Sequence, residues 1–286
     1  REGSIDVNDV VVWVDGELQN PDTAAVHWSD HGLTVGDGVF ETIELRDGSA
    51  FALSRHLDRL MRSADGLRLA RPDRGQVERA IRAVIAAWGD GPGRLRITYT
   101  AGPGPMGSNR DLATPTLIVV AGPMKILTID DPTDVLVVEF TRNERGALAG
   151  LKTTSYGENV VALDMAAEAD CSEALFANTR DELCEGTGSN VFVVLDAELV
   201  TPSLASGCLD GITRALLLEA LTAAGIAVSE RAVPMTGLDR VTEAFLVSTG
   251  RHVQPIRRLG DRELIECPGP LTVRAHAAWS TAPFRR

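Results

Sequence analysis

Lysine is scarce in this sequence: Lys125 and Lys152 are the only two among the 28 lysine and arginine side chains. A solvated cation is therefore almost always an arginine here, so a retained lysine indicates a need for a primary amine. Lysine can form a Schiff base, and arginine cannot, because its guanidinium stays protonated. Lys125 lies in a connector and is interpreted as a surface cation. Lys152 lies in an uncharged stretch and is the candidate for covalent catalysis.

Several other absences exclude classes of function. The chain has no basic stripe and a net charge of -12, which argues against nucleic-acid binding. Its apolar runs, such as residues 135–138, are too short to span a membrane. The four cysteines lack the spacing of a zinc site, a redox pair or a disulfide framework. We therefore expect a cytoplasmic globular protein with reduced thiols and no metal site.

Helix and strand signals are mixed without strict alternation, which favours an α+β fold with two domains over a doubly wound sheet. Gly122-Pro123 marks a linker. The predicted division is a small N-terminal domain over 1–121, a linker over 122–128 and a C-terminal domain over 129–286. Alternation and turn signals predict strands over 10–14, 40–45, 50–53, 94–100, 116–120, 134–140, 174–177, 191–194 and 244–247. Helical periodicity and caps predict helices over 54–60, 76–88, 158–169, 213–224 and 268–279.

Three motifs that follow one another along the chain point to one cofactor. The first is Lys152. In the second, over residues 183–192, the carboxylate of Glu185 precedes a turn of small residues that admits a flat ligand. In the third, Gly211-Ile212-Thr213 precedes a helix, whose first N–H groups can bind a phosphate. Taken singly, the second motif also fits an ordinary hairpin and the third a plain helix cap. Together they indicate pyridoxal 5'-phosphate, which needs an amine, a carboxylate and an anion site.

The chain resembles the class IV, fold type IV, pyridoxal-phosphate enzymes, which include branched-chain and D-amino acid aminotransferases and aminodeoxychorismate lyases. The resemblance covers nearly the whole chain and includes Asp-His-Gly-Leu-Thr-Val-Gly-Asp-Gly-Val-Phe-Glu at 30–41, His-Leu-Asp-Arg-Leu at 56–60 and Ser-Thr-Gly-Arg-His-Val-Gln-Pro-Ile at 248–256. It implies two mixed α/β domains with the active site between them. It also implies a homodimer that acts on a small-molecule amino acid or on aminodeoxychorismate.

The resemblance also assigns roles by position. Lys152 becomes the Schiff-base lysine and the proton shuttle, and Glu185 becomes the partner of the pyridine nitrogen. Leu209 is expected to pack on the cofactor ring, and either Arg142 or Arg145 to approach its phenolic oxygen. The residues expected at the phosphate are Arg59, Gly211, Ile212, Thr213 and Thr249.

The reaction is predicted from two local features. Leu-Ala-Gly-Leu-Lys at 148–152 resembles the corresponding segment of aminodeoxychorismate lyases. Ala101 falls where D-amino acid aminotransferases carry an arginine for the substrate carboxylate, and Phe40 replaces their tyrosine. The favoured activity is therefore a 4-amino-4-deoxychorismate lyase of folate biosynthesis, which releases 4-aminobenzoate and pyruvate. Branched-chain transamination stays open, and D-amino acid transamination is disfavoured. Phe40, Arg110 and Arg251 are candidate substrate-binding residues.

Two alternatives lie outside this scheme. One is a non-catalytic relative that keeps the fold and binds a ligand, although retention of Lys152, Glu185, Arg59 and Thr213 together argues against it. The other is an aldolase that uses Lys152 without a cofactor. A colourless protein that takes up no pyridoxal phosphate would favour the aldolase.

Overall fold

The protein is described by a computed structural model that covers residues 10–111 and 113–285. The chain forms two compact units. Unit 1 comprises Arg1–Lys125 and Leu151–Tyr156, and unit 2 comprises Ile126–Gly150 and Gly157–Arg286. Within the described part of the chain, no helix has the length and apolarity that a membrane crossing requires.

Unit 1 is a six-stranded sheet with three helices. The strands are β1 (Val11–Val14), β2 (Glu17–Gln19), β3 (Gly38–Arg46), β4 (Ser49–Ala50), β5 (Gly93–Thr100) and β6 (Thr116–Gly122), in the order β2-β1-β6-β5-β3-β4. The helices are α1 (His31–Thr34), α2 (Leu53–Gly66) and α3 (Arg74–Trp88). Because the strands alternate, one face of β3 and β5 packs against the apolar faces of α2 and α3. The buried core there includes Val39, Ile43, Leu57, Leu60, Ile81, Val84, Leu95 and Ile97.

Unit 2 is built on a nine-stranded sheet with three further helices. Its strands are β7 (Thr133–Val137), β8 (Glu173–Ala177), β9 (Leu183–Gly186), β10 (Asn190–Leu195), β11 (Glu198–Thr201), β12 (Ser229–Glu230), β13 (Val241–Val247), β14 (Gln254–Leu259) and β15 (Arg262–Glu263). Their order is β12-β11-β10-β13-β14-β7-β8-β9, and β15 pairs with β14. The helices are α4 (Gly157–Glu168), α5 (Ile212–Ala223) and α6 (Pro270–Thr281). Every residue of β10 is buried, so β10 is a central strand that is covered on both faces.

The segment 151–156 is where the observed grouping differs from the sequence-based division. We placed Lys152 in the domain 129–286, whereas its segment groups with unit 1. The physical cause is main-chain pairing with β3. Val39 and Thr153 form an antiparallel bridge, and the Phe40 N–H donates to the Lys152 carbonyl at 3.0 Å.

Two helix starts and the strand predicted over 50–53 also differ from the structure, in which β4 ends at Ala50 and α2 begins at Leu53. Ser54, which we expected to begin a helix, lies inside α2, and Ala52 precedes that helix in the left-handed conformation without a side-chain cap. Helix α3 begins before the predicted residue 76, because the Asp73 carboxylate accepts the N–H groups of Gly75 and Gln76 at 2.8 and 3.3 Å. It ends at Trp88, and its C-cap Gly89 has a φ of +87°.

A buried carboxylate fastens the loop after β5. Asp30 accepts hydrogen bonds from the hydroxyls of Thr100 and Thr116 at 3.0 and 2.7 Å. The carbonyl of Gly102 in turn accepts the His31 N–H at 3.0 Å. Gly102 has a φ of +84°, and a Cβ there would lie 1.7 Å from the Thr114 carbonyl oxygen. This position therefore requires glycine both for its conformation and for its space.

Replacing Gly102 by Ala should destabilise the protein more than replacing Gly225 by Ala. Gly225 has a φ of +67° and nothing near its absent Cβ, so its replacement should cost about 1 kcal/mol of left-handed strain. The clash at Gly102 should raise the loss to ~3 kcal/mol or more. Unfolding free energies from urea titrations compare the two variants. Equal losses would contradict the close approach at Gly102.

Candidate active site

The main chain of Lys152 is held from both sides within unit 1. Its carbonyl accepts the Phe40 N–H from β3, and its own N–H donates to the Ser63 hydroxyl of α2 at 3.2 Å. Ser63 is buried. The sheet and the helix that form the core of unit 1 therefore both determine where the Lys152 side chain begins.

The amine of Lys152 lies over an aromatic ring with a second cation beside it. Its Nζ is 4.3 Å from the centroid of the Phe40 ring, and the Arg96 guanidinium carbon is 4.0 Å from the same centroid. The two groups are therefore at most 8.3 Å apart, because 4.3 and 4.0 Å separate them from one point. The Tyr156 ring meets Phe40 edge-on at 5.2 Å. Both cations are placed for cation–π attraction to this ring.

Arg96 lies on β5, and its Nε donates to the hydroxyl of Thr98 at 3.3 Å. Among the residues that the structure describes, Arg96 forms no ion pair with a carboxylate. A ligand carboxylate would be a suitable partner for it, because a guanidinium binds carboxylates in a planar fork.

Arg59 belongs to a buried ionic cluster of unit 1. Its Nε and Nη2 donate to Oε1 and Oε2 of Glu41 at 2.8 and 2.7 Å. His56 lies 2.7 Å from the second of these oxygens through Nδ1. Because an ionised carboxylate only accepts, the neutral ring must donate from Nδ1. All three side chains are nearly inaccessible to solvent.

The charges of this cluster shift two pKa values. Burial alone would raise the pKa of Glu41, but the charge and hydrogen bonds of Arg59, together with His56, outweigh burial and lower it to about 2. Burial lowers the pKa of His56, and the neighbouring Glu41 only partly opposes this. The cluster is therefore a Glu41–Arg59 ion pair completed by a neutral histidine.

In unit 2, Glu185 lies one residue before the end of β9 and joins two of the predicted motifs. Its Oε2 accepts the Leu209 N–H at 2.8 Å, and its Oε1 lies 3.5 Å from Nε of Arg142. Arg142 also lies over the Phe176 ring at 4.2 Å, and its buried Nε has no hydrogen-bond partner. Arg145 is 80% exposed. Of the two arginines considered for the phenolic oxygen, Arg142 is the one that lies beside Glu185.

The buried carboxylate of Glu173 holds the turn after Glu185 in place. Glu173 accepts the Thr187 N–H and the Ser189 hydroxyl, both at 2.9 Å. Its Oε2 also lies 3.5 Å from Nη2 of Arg251, and Arg251 donates to the Ser172 carbonyl at 3.0 Å. Arg251 thus ties the turn after β13 to the Glu185 turn. These contacts stabilise the two turns, and the role of Arg251 in binding substrate stays a prediction.

The first turn of α5 has no side-chain cap, and Gly211 is its N-cap. A Cβ on Gly211 would lie 2.0 Å from Oδ1 of Asn190, whose Nδ2 donates to the Leu209 carbonyl at 2.9 Å. Gly211 therefore lets the strand and the helix start approach closely, with Ile212 and Thr213 beginning the helix.

Thr249 lies in unit 2 and Arg110 in unit 1. Thr249 is in the turn between β13 and β14, where the carbonyl of Gly250 accepts the Leu127 N–H at 2.8 Å. Arg110 forms a two-pronged ion pair with Asp37, with both bonds at 2.6 Å, and also donates to backbone carbonyls of residues 67 and 68. Arg110 therefore fastens its loop, and its role in binding substrate also stays a prediction.

Sequence reasoning missed the partners of the predicted residues. Glu41 lies 18 positions from Arg59, and no spacing rule connects a strand carboxylate to one particular arginine of a later helix. Ser63, Arg96 and Tyr156 were likewise not identified. A usable signal was available for Ser63, because it follows Arg59 by four residues and so lies on the same face of α2.

Similarity to proteins of known structure identifies the chain as a fold type IV enzyme that uses pyridoxal phosphate. The chain belongs to the class IV aminotransferase family, whose sequence profile matches residues 38–259. The resemblance inferred from the motifs, the α+β fold and the cofactor are thereby confirmed, and the chain is an enzyme of this family.

Three similar proteins carry different named activities. The bifunctional aminodeoxychorismate lyase and D-amino acid transaminase of Mycobacterium tuberculosis is 28% identical over 91% of this chain and 94% of its own. The 4-amino-4-deoxychorismate lyase structure from Pseudomonas aeruginosa is 30% identical, with a TM-score of 0.81 and coverage of 96% and 99%. The branched-chain aminotransferase structure from Thermoproteus uzoniensis is 26% identical, with a TM-score of 0.87 and coverage of 94% and 93%.

The described residues fit the cofactor of this family. Pyridoxal phosphate carries an aldehyde, a ring nitrogen and two anionic oxygen groups. Each unit offers groups suited to some of these. Unit 1 has the amine of Lys152 and the guanidinium of Arg59, and unit 2 has Glu185, the buried Nε of Arg142 and the uncapped start of α5.

Acid should weaken the contribution of Glu41 to stability. The folded pKa is about 2 and the ordinary value is 4.5, so this contribution is complete above 4.5 and disappears as pH falls through 2. The stability difference between wild type and Glu41→Gln should therefore shrink by about 3 kcal/mol over that range. Urea titrations along a pH series measure it. Glu78→Gln, at a half-exposed carboxylate, is the control, and a Glu41 difference that does not change with pH would contradict the buried ion pair.

Proposed function

We propose that this enzyme is a 4-amino-4-deoxychorismate lyase, which releases 4-aminobenzoate and pyruvate. The observation that carries the proposal is the group around the Lys152 amine: the rings of Phe40 and Tyr156, with the Arg96 cation on the same ring. The substrate has a six-membered ring, an amino group and two carboxylates. Aromatic surfaces suit the ring, the amine site suits the amino group, and a guanidinium suits a carboxylate.

Two further points support a lyase. Ala101 is buried and replaces the arginine that D-amino acid aminotransferases use, so this position offers nothing to hold an amino acid carboxylate. The similarity to the Pseudomonas aeruginosa lyase extends over 96% of this chain, and the Leu-Ala-Gly-Leu-Lys segment at 148–152 resembles the lyase version.

The residues would divide the work as follows. When bound, pyridoxal phosphate supplies an electron sink for a carbanion formed at the substrate carbon that bears nitrogen. Lys152 would hold the cofactor and take the proton from that carbon at Nζ. The C–O bond between the ring and the enolpyruvyl group would then break, and the departing enolpyruvate would take up a proton from Lys152 to become pyruvate. The remaining ring becomes aromatic, which drives the reaction forward. Arg59 would bind the phosphate, and Arg96 would orient a substrate carboxylate.

In unit 2, Glu185 would keep the pyridine nitrogen protonated. Its bond to the Leu209 N–H and its proximity to Arg142 orient it. Leu209 would pack on the ring, and Gly211, Ile212, Thr213 and Thr249 would supply phosphate contacts. Arg142 would approach the phenolic oxygen.

The second candidate is a branched-chain amino acid aminotransferase. The TM-score of 0.87 to the Thermoproteus uzoniensis enzyme favours it, and Arg96 would then hold the second carboxylate of a dicarboxylic partner such as glutamate. A D-amino acid aminotransferase has less support, because of Ala101.

We also infer a homodimer and a cytoplasmic location. Several large apolar side chains of α4 are exposed on the single chain, and a second subunit would cover surface of this kind; they are Val160, Val161, Leu163 and Met165. The four free cysteines suit a reducing compartment.

The two activities separate in an assay without a keto acid acceptor. With pyridoxal phosphate present, the lyase should release pyruvate and 4-aminobenzoate from aminodeoxychorismate over many turnovers. An aminotransferase stops after one half-reaction under these conditions. No release, together with conversion of the cofactor to its amine form by leucine or glutamate, would refute the lyase and establish the aminotransferase.

Borohydride reduction should attach the cofactor to Lys152. The chain has only one other lysine, Lys125, which serves as the matched control. Peptide mass mapping of the reduced holoenzyme should find the phosphopyridoxyl group on the peptide that contains Lys152 in wild type and in Lys125→Ala. Lys152→Ala should lose the label, the cofactor absorbance and turnover. Full turnover by Lys152→Ala would overturn the assignment of this lysine.

A further inference from the structure

A single stretch of β3 and a single stretch of α2 hold two groups of the proposed cofactor site. On β3, Phe40 bonds through its backbone to Lys152, and the adjacent Glu41 bonds through its side chain to Arg59. On α2, Arg59 bonds to Glu41, and Ser63, one turn later, bonds to the Lys152 N–H. The lysine backbone and the arginine head are therefore tied to the same two elements.

We propose that Glu41, supported by His56, is a positioning residue that aims the Arg59 guanidinium at the cofactor phosphate. This inference rests on the proposed phosphate role of Arg59. It deepens that role by naming what holds the arginine in place. Glu41 itself would contact neither cofactor nor substrate.

The geometry of the pair supports orientation rather than simple charge balance. Two parallel bonds, from Nε and Nη2 to the two carboxylate oxygens, fix the plane of the guanidinium as well as its position. A guanidinium has five N–H donors in a rigid fork, so fixing one edge also fixes the direction of the others. A phosphate ligand benefits from a donor whose direction is set before binding.

The histidine limits the freedom of the carboxylate. His56 and Arg59 are three residues apart on α2, on the same face of the helix, and both bond to Oε2 of Glu41. The ring therefore prevents Glu41 from rotating away from Arg59. A buried carboxylate in this place is costly unless it is paired, so a role for Glu41 explains why the site retains it.

Replacement of Glu41 by Gln should act on phosphate recognition specifically. The Gln amide offers one oxygen and one NH₂ group in place of two acceptors, so one of the two bonds becomes a contact between donors. Arg59 would then turn away from its present direction. Because the change removes a negative charge near a proposed phosphate site, a purely electrostatic role predicts tighter binding, whereas a positioning role predicts weaker binding.

The test compares pyridoxal 5'-phosphate with pyridoxal, which lacks the phosphate. Absorbance titrations of the apoenzyme give the dissociation constant of each. In Glu41→Gln, the affinity for pyridoxal phosphate should fall by about tenfold or more, as for other supporting residues, while the affinity for pyridoxal stays within about twofold. Equal losses for both ligands would indicate a merely structural role and overturn the proposal, as would an unchanged or tighter affinity for pyridoxal phosphate.

A pair of variants at His56 tests the same point with less disturbance of charge. His56→Asn retains an N–H donor for Glu41 and should keep most of the preference for pyridoxal phosphate over pyridoxal. His56→Leu removes the donor and should reduce that preference. Equal preferences in the two variants would contradict the supporting role of His56. This pair also keeps the proposal testable if Glu41→Gln does not fold.

Two reference variants separate this inference from the proposed function. Arg59→Gln should lose the preference for the phosphate; if it does not, the proposed phosphate role of Arg59 fails. If Arg59→Gln loses the preference and Glu41→Gln keeps it, only the positioning role fails. Glu198→Gln removes a carboxylate whose Oε2 accepts bonds from both Nε and Nη2 of Arg231, and this variant should bind both ligands as wild type does.

Discussion

A buried carboxylate needs donors on all sides, and this requirement organises the functional segments of the protein. Glu41 accepts hydrogen bonds from Arg59 and His56. Asp30 accepts them from two threonine hydroxyls and from the N–H of Gly32. Glu173 does the same for the turn after Glu185. In each case the carboxylate turns a flexible segment into a fixed one, because leaving it unpaired would cost far more than ordering its neighbours.

The position of the Lys152 side chain also depends on contacts with β3 and α2. Its backbone is bonded to β3 and α2, so the amine starts from a rigid base. The Phe40 ring then lies against it, with Arg96 on the same ring. An amine, an aromatic wall and a second cation in one place favour a ring-bearing, carboxylated substrate over a purely aliphatic one. This is the physical basis for preferring the lyase to the branched-chain aminotransferase.

The sequence was informative where chemistry restricts the choice of residue. The shortage of lysine singled out Lys152, and Gly211-Ile212-Thr213 predicted a helix start, which the structure has at Ile212. Pairing across long separations was not predictable. Nothing local connects Glu41 with Arg59, or the segment of Lys152 with β3, since both contacts depend on how distant elements pack. The start of α3 was predicted too late although its signal is local. Asp73 caps the helix, and a search for apolar periodicity does not detect a polar cap.

A crystal structure of the holoenzyme would test the central claim most directly, because it locates the phosphate relative to Arg59 and Glu41 at once. We expect phosphate oxygens within hydrogen-bond distance of the Arg59 guanidinium, with Nε and Nη2 still bonded to Glu41 and continuous density from the cofactor to Nζ of Lys152. A phosphate bound away from Arg59, or an Arg59 that leaves Glu41 to reach it, would contradict the proposed positioning of Arg59.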